Sequence, residues 1–202
     1  MTIQFTPSSN QEKAISSVHP DLNVVAMLPS EYPNLIEVIN QWQADATITY
    51  VCSKREHPAA AQVFDDAAFI CCSISIALKE CAEIYQVYVC QDLQKIPQGV
   101  ALIDQLATTM RLGWLVTSPS NIASPLNPGR KLRGIGAELL RHVEEIAQQN
   151  HITSLYLSAL TSAIPFYVAH GYTRIDPSQL TMNKTISSVT QATRPIFGEK
   201  VA

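Results

Sequence analysis

The sequence predicts an α/β fold of the α+β type, with a mixed, mostly antiparallel central sheet flanked by helices. Three strand-like segments follow one another in the middle of the chain, and strands joined by short turns pair antiparallel. An amphipathic helix and a further strand come next, which predicts one parallel pair. Hydrophobic residues make up 47% of the 202 residues and charged residues only 15%, enough to bury the core of one domain.

The N-terminal third predicts a strand followed by helical segments. Residues 22–28 (LNVVAML) are a short apolar run that we expect to form a strand. Ser30 can cap a helix that continues with apolar residues at helical spacing. We expect residues 47–52 (TITYVC) to form a strand or an extended connection. In residues 59–83 the early alanines favour a helix, and the later stretch FICCSISI favours a strand.

The middle of the chain predicts a three-stranded antiparallel unit. Residues 84–90 (IYQVYVC) are rich in β-branched and aromatic residues, which favour strands. Residues 99–104 (GVALID) form the next strand and pair with the first as a hairpin, and residues 111–117 (RLGWLVT) form a third. Residues 118–127 (SPSNIASPLN) then predict a loop.

The C-terminal third predicts a helix between two strands that pair in parallel. The helix is indicated by apolar residues at helical spacing: Ile135, Leu139, Val143 and Ile146. Residues 151–157 (HITSLYL) form the strand after this helix, which gives a crossover connection. Residues 162–170 predict a short helix, and residues 171–175 and 180–186 predict the last two strands.

These elements predict a single domain at residues 21–188. We expect residues 1–20 to be an N-terminal extension that is at least partly mobile, and residues 189–202 to be a C-terminal tail. The first residues lack the apolar centre of a signal peptide, and the longest apolar run is too short to span a bilayer. We therefore expect a cytoplasmic protein that does not act on a membrane.

Charge and cysteine content exclude several classes of protein. The net charge of −3 argues against a general nucleic-acid-binding protein. The five cysteines contain no C-x-x-C pair, which predicts reduced thiols rather than a disulfide framework or a zinc site. The histidines show no metal-ligand spacing, and we expect no metal.

Two glycines stand at the start of the predicted amphipathic helix. Each glycine in a helix costs about 1 kcal/mol relative to alanine, so Gly134 and Gly136 suggest that a ligand approaches the backbone closely. A helix N-terminus offers unpaired N–H groups and the positive end of the helix dipole, which suit an anion. Arg130, Lys131 and Arg133 add positive charge. The pattern predicts a phosphate or pyrophosphate cradle.

This glycine pattern alone leaves other interpretations open. A glycine-interrupted loop before an ordinary surface helix explains it equally well, and an unrelated nucleotide-binding site is a third interpretation. The third glycine of the dinucleotide-binding fingerprint is absent, and so is the Gly-Lys-Ser/Thr of a P-loop.

Two motifs resemble those of the GNAT N-acetyltransferases. The acetyl-CoA loop of that family reads Gln/Arg-x-x-Gly-x-Gly/Ala, and this chain has KLRGIG at residues 131–136, where Lys131 departs from Gln/Arg but keeps the charge. The family also has Ala-x-x-Phe-Tyr-x-x-x-Gly-Phe, and this chain has AIPFYVAHGY at residues 163–172. The resemblance covers residues 84–186. It implies a GNAT-like sheet, with the parallel strand pair splayed around an acetyl-CoA site.

The resemblance also implies how acetyl-CoA would bind. Its pantetheine arm would pair with the backbone of the strand before the loop, for which the matching positions are Leu115, Val116 and Thr117. The pyrophosphate would lie on N–H groups of the cradle, with Lys131 alongside. The cradle positions are Arg133, Gly134, Ile135, Gly136 and Ala137.

Proton transfers need further groups. Tyr167 matches the family tyrosine that often protonates the departing thiolate of CoA, although packing in the core is its alternative role. An attacking amine must also lose a proton, which requires a carboxylate or a water that the carboxylate holds. The candidates are Asp104, Glu83 and Asp92, although the pattern of each is more typical of a solvated acid at the end of a strand.

The resemblance implies an acyltransferase that moves an acetyl group from acetyl-CoA to a primary amine. The acceptor would be a small molecule or a peptide, attacking directly in a ternary complex of a monomeric or homodimeric enzyme. The poorly defined base and the long loop at residues 118–127 leave an alternative open. That alternative is a catalytically weak module of the same fold that binds acyl-CoA or a protein partner.

Overall fold

The structure is a computed structural model that describes residues 21–122, 124–127 and 132–186. The predicted N-terminal extension and C-terminal tail lie outside the described residues. The same is true of Arg130 and Lys131, the first two basic residues of the predicted cradle.

A seven-stranded mixed sheet forms the centre of the described domain. Its strands in chain order are β1 (Leu22–Ala26), β2 (Gln86–Asp92), β3 (Pro97–Leu106), β4 (Thr109–Thr117), β5 (Ser154–Ser158), β6 (Thr173–Arg174) and β7 (Thr181–Thr185). Their order across the sheet is β1-β2-β3-β4-β5-β7-β6. β4 and β5 pair in parallel, and the other neighbouring strands pair antiparallel. The predicted fold class and the parallel pair are confirmed.

Helices cover both faces of this sheet. The described helices are α1 (Tyr32–Ser53), α2 (Pro58–Glu80), α3 (Ile135–Gln149) and α4 (Ile164–Ala169). α1 and α2 pack on one face, where Val100 and Leu102 of β3 join their core. α3 and Tyr167 of α4 pack on the other face, against Ala101 and Ile103 of the same strand. Because both faces are covered, β3 is apolar on both sides.

The predicted strand at residues 47–52 is wrong, because this stretch is the last part of α1. Leu35, Ile39 and Ala46 of α1 are buried at helical spacing, so packing against α2 determines the conformation. The β-branched residues that suggest a strand are accommodated by hydrogen bonds to the preceding helical turn. The hydroxyls of Thr47 and Thr49 donate to the carbonyls of Gln43 and Asp45, at 2.8 and 2.9 Å.

The start of α1 also differs from the prediction. Ser30 lies in a 3-10 turn, Pro29–Glu31, and α1 begins at Tyr32 without a side-chain cap. The Glu31 carboxylate instead accepts a hydrogen bond from the Leu28 N–H at 2.8 Å, ahead of the turn.

The predicted strand in the later part of residues 59–83 is also wrong, because α2 continues to Glu80. Its buried residues include Phe64, Cys71, Ile74 and Leu78, which recur at three, four and seven residues and therefore share one helical face. By length and composition α2 could cross a membrane, but half of its most apolar stretch is buried inside the domain. Helices at the centre of a folded domain commonly meet this criterion.

Candidate active site

β4 and β5 diverge partway along their length. They pair in parallel from Thr109 with Ser154 to Leu112 with Leu157. β4 then continues to Thr117, whereas β5 ends at Ser158. The pairing of β4 with β3 shifts register between Leu112 and Trp114, which leaves Gly113 as the extra residue of a bulge. The β5-facing backbone edge of residues 113–117 is therefore free of strand pairing in the described structure.

A cavity of about 420 Å³ occupies this divergence. It is lined from both sides of the sheet: by α2 on one face, and by the start of α3 and by α4 on the other. A volume of this size accommodates a small molecule or one segment of an extended ligand. The divergence of the parallel pair that the resemblance implies is thus a real opening in the fold.

The start of α3 faces this cavity without being covered. Gly134 precedes the helix with a φ of 79°, a left-handed conformation that favours glycine. A Cβ placed on Gly134 would meet no atom of the described residues within 4 Å, so the described part of the chain leaves the space in front of the helix open. Within residues 132–186 and the other described ranges no side chain caps the helix, which leaves N–H groups of its first turn available for an anion.

Packing against the sheet fixes the position of this helix end. A Cβ on Gly99 of β3 would lie only 2.6 Å from Cγ2 of Ile135, so the absent side chain lets α3 approach the strand closely. The one acidic residue of the first turn, Glu138, is buried and pairs with Arg141, whose Nη2 donates to Oε1 at 2.6 Å. This ion pair offsets a negative charge that would otherwise oppose a bound anion.

The structure brings most of the predicted site residues to this one cavity. Those that line it are Leu115, Val116, Thr117, Arg133, Gly134, Ile135, Gly136, Ala137 and Tyr167. Lys131 lies outside the described residues. The predicted cradle and the predicted acid therefore share one space, and their roles toward a ligand stay predictions. No group of three or more His, Cys, Asp or Glu side chains is placed to hold a metal in the part of the chain that the structure describes.

Tyr167 lies on α4 at the edge of the cavity. Its side chain is buried, with the ring packed edge-on against Phe166 and Tyr172 at centroid distances of 5.1 and 5.7 Å. Burial raises the pKa of the Tyr167 phenol to about 12. The phenol therefore keeps its proton at neutral pH and can donate it. Packing and proton donation, the two roles that the sequence leaves open, are compatible in this position.

The long loop after β4 is folded against the site. β4 ends at Thr117, as predicted, and the loop begins directly after it. The Asn121 side chain is buried and joins two elements, with Nδ2 donating to Gln98 Oε1 at 2.7 Å. Its Oδ1 accepts from the N–H of Leu132 at 3.0 Å, two residues before Gly134. Asn121 therefore ties β3 to the approach to the cradle.

None of the three predicted base candidates lines the cavity. Asp104 is buried beneath Arg111 of β4, whose Nε donates to its Oδ2 at 2.8 Å. Asp92 accepts hydrogen bonds from the N–H groups of Gln94 and Ile96 at 2.9 and 3.0 Å, and so holds the β2–β3 turn. Glu83 is exposed between α2 and β2. All three have structural or surface roles.

A carboxylate that the sequence does not single out does line the cavity. Asp66 of α2 is half-buried there, and it is the only acidic side chain among the described residues that line the space. Its Oδ1 accepts a hydrogen bond from Gln62 at 2.9 Å, and its Oδ2 accepts one from the Ser162 hydroxyl just before α4. No local motif marks Asp66, because it reaches the site only through the packing of α2 on β4.

Known proteins share this fold and the segment around the cradle. The sequence profile of the Acetyltransferase (GNAT) family matches residues 126–172. A GNAT-family acetyltransferase from Staphylococcus aureus Mu50 is similar in structure, with a TM-score of 0.53 and 16% identity over 82% of this chain and 99% of that chain.

A second structure, that of PaiA N-acetyltransferase from Thermoplasma acidophilum in complex with coenzyme A, has the same TM-score of 0.53 and 16% identity, over 81% of this chain and 98% of that chain. No curated protein sequence matches this one. The matched profile runs from the end of the long loop through α3 and β5 to Tyr172, and so includes both sequence motifs. This chain is therefore similar to GNAT acetyltransferases in its fold and in the segment that carries both motifs.

Proposed function

We propose that this protein transfers an acetyl group from acetyl-CoA to a primary amine of a small molecule or a peptide. The observation that carries the proposal is the single cavity that joins the open N-terminus of α3 to Tyr167. An acyl-CoA needs an anion site for its diphosphate, an extended channel for pantetheine and a proton donor near its sulphur. The residues expected for each of these roles line this one cavity, which supports the proposal.

The diphosphate would lie on the N–H groups of the α3 N-terminus. Residues 133–137 line the cavity there, and the charge of Arg133 adds to the helix dipole. The approach to the cradle is held by Asn121 through the Leu132 N–H. Lys131 would add a second cation, by its place in the sequence motif.

The pantetheine arm would extend along the unpaired edge of β4. Leu115, Val116 and Thr117 line the cavity on the stretch that has diverged from β5. Amide groups of pantetheine can replace the missing strand partner. An N–H of this edge would polarise the thioester carbonyl and stabilise the oxyanion that forms when the amine attacks.

The chemistry is direct transfer within a ternary complex. The neutral amine attacks the carbonyl carbon of the thioester, the C–N bond forms, and the C–S bond breaks as the tetrahedral intermediate collapses. The attacking nitrogen loses one proton to water as the amide forms, and the CoA thiolate leaves with the electron pair of the C–S bond. The Tyr167 phenol, which keeps its proton because burial raises its pKa to about 12, donates a hydrogen bond to this thiolate as it departs.

One observation favours the alternative of a catalytically weak acyl-CoA-binding or protein-interaction module. The acids that the sequence predicts as bases have other partners or lie away from the cavity. A protein of this kind would bind CoA through the same cradle without rapid transfer.

The experiment that separates these functions combines binding with turnover. Titration calorimetry with CoA, ATP and NAD measures whether the site selects CoA. Acetyl-CoA is then supplied with a panel of primary amines and peptides, and acetylated product is measured by mass spectrometry. We expect micromolar CoA binding that ATP and NAD do not displace, with product from at least one amine. CoA binding without product would support the alternative, and no CoA binding would refute both.

A further inference from the structure

Asp66 approaches the cavity from the side of the sheet opposite α3. α2 packs with the core on one face of the sheet, and α3 packs with the core on the other. A diphosphate on the α3 end would therefore leave the Asp66 side of the cavity for the acyl acceptor. An amine entering there would meet the thioester within the divergence of β4 and β5.

The wall around Asp66 is apolar. Val63, Ala67 and Ile70 line the cavity from the same helix, and Trp114 faces it from β4. Ile122 of the long loop closes the space on another side. This wall suits a hydrocarbon or aromatic body, whose burial provides affinity without selecting charge.

The charges of the cavity are divided between its two sides. Among the described lining residues, Asp66 and Arg133 are the charged ones, and they belong to α2 and to the segment before α3. Arg133 lies with the anion cradle, so the described residues of the acceptor side supply one negative group and no cation. A carboxylate set in an apolar wall favours a cation bound beside it.

Two hydrogen bonds hold the Asp66 carboxylate in place and leave part of its acceptor capacity unused. Gln62 donates to Oδ1 at 2.9 Å and the Ser162 hydroxyl donates to Oδ2. A carboxylate accepts about four hydrogen bonds, so each oxygen keeps capacity for a further donor. Ser162 also links α2 to the turn that leads into α4 and Tyr167, and so fixes Asp66 relative to the proposed acid.

We propose that Asp66 binds the ammonium group of the acceptor and so selects a primary alkylamine carried on an apolar or aromatic body. The proposal rests on the proposed function. The bound ammonium releases one proton to water before attack, and the resulting neutral amine forms the C–N bond. The carboxylate acts by positioning the nitrogen beside the thioester, with no covalent change of its own.

The test compares two adjacent carboxylates in the intact protein saturated with CoA. Asp66→Asn removes the charge but keeps the shape and the ability to accept hydrogen bonds. Asp65→Asn is the matched control, because Asp65 lies on the same turn of α2 but does not line the cavity. The probes are 2-phenylethylamine, which is a cation at neutral pH, and aniline, which is neutral. Calorimetry gives the affinity, and thermal unfolding shows whether each variant folds.

We expect Asp66→Asn to weaken 2-phenylethylamine binding about tenfold or more, as for loss of a hydrogen bond between charged groups. Asp65→Asn should change it less than twofold, and neither variant should alter CoA affinity. Asp66→Glu should recover part of the lost affinity, because it restores the charge. Aniline binding should be the same in Asp66→Asn as in the wild type.

Several outcomes would overturn the proposal. These are equal effects of the two Asn variants, equal weakening of both probes by Asp66→Asn, or no binding of 2-phenylethylamine to the CoA-loaded wild type. A wild-type protein that fails to bind CoA would instead refute the proposed function, so the two failures are distinguishable.

Discussion

Replacing Gly134 with valine tests the proposed anion cradle without unfolding the protein. Gly134 has a φ of 79°, and an L-residue in this conformation costs about 1–2 kcal/mol. Domains of this size have a free energy of unfolding of about 5–15 kcal/mol, so the variant should remain folded. A valine at Gly136 is a less clean probe, because even a Cβ there would lie 3.4 Å from the Phe166 ring.

The effect on CoA should be much larger than the effect on folding. No atom of the described residues lies within 4 Å of a Cβ on Gly134, so a valine side chain would fill the volume that the diphosphate needs. Loss of two charge-assisted hydrogen bonds costs about 3–6 kcal/mol at roughly 1.5–3 kcal/mol each. This corresponds to CoA binding that is roughly 10²- to 10⁴-fold weaker.

Titration calorimetry with CoA measures the loss, and thermal unfolding measures the strain. Gly134→Ala is the control, because it places an L-residue at the same positive φ but adds only a methyl group, so CoA affinity should fall far less than with valine. If folded Gly134→Val binds CoA within about threefold of the wild type, the diphosphate does not lie on this helix end.

Three further predictions follow from the same geometry. Tyr167→Phe should lower kcat about a hundredfold and leave the KM for acetyl-CoA within about twofold of the wild type, whereas an unchanged kcat would show that Tyr167 only packs in the core. Burial raises the pKa of Tyr167 to about 12, so ionisation of the phenol should not reduce wild-type activity below about pH 10. Asn121→Ala should lower the free energy of unfolding by about 1–3 kcal/mol and weaken CoA binding, because the Leu132 N–H and the Gln98 side chain lose their hydrogen-bond partner. Thermal unfolding and calorimetry measure the two effects, and an unaltered CoA affinity would show that the loop does not support the cradle. A thiol reagent should modify the exposed Cys52 quickly in the folded protein, and should modify Cys71 and Cys90 only after unfolding. The reason is that burial raises the pKa of the Cys71 and Cys90 thiols to about 12. Rapid labelling of Cys71 or Cys90 would contradict their placement in the core.

The C-terminal half of the fold could be predicted because its signals are local. α3 has a single apolar stripe on an otherwise polar helix, and Ile135, Leu139 and Val143 are all buried as the spacing predicts. β2, β3 and β4 are short apolar runs between turns. The order of these elements requires β4 and β5 to pair in parallel. The divergence of these two strands creates the opening that the predicted site residues line.

The helices of the N-terminal half could not be predicted with the same certainty, because both are apolar on more than one side. α2 buries Phe64 and Ile74 but also exposes Phe69 and Ile76, so its pattern lacks a clear helical period. In α1 the β-branched residues near Thr47 favour a strand locally, but the segment continues a helix whose buried face packs against α2. Tertiary packing overrides propensity in both cases.

The carboxylate of the proposed acceptor side could not be predicted either, because only tertiary packing brings it to the cavity. Asp66 has no motif around it and lies 101 residues before Tyr167 in the sequence. It reaches the cavity only because α2 crosses β4 at the divergence. Conversely, Asp104 is a good candidate in the sequence but is occupied by Arg111, a partner that only the β3–β4 register identifies.

The most direct test of the central claim is a crystal structure of the protein with acetyl-CoA bound. We expect diphosphate oxygens within about 2.7–3.2 Å of N–H nitrogens in residues 133–137, and the thioester sulphur within hydrogen-bonding reach of the Tyr167 hydroxyl. A diphosphate bound away from the start of α3, or a sulphur on the far side of the sheet from Tyr167, would contradict the account.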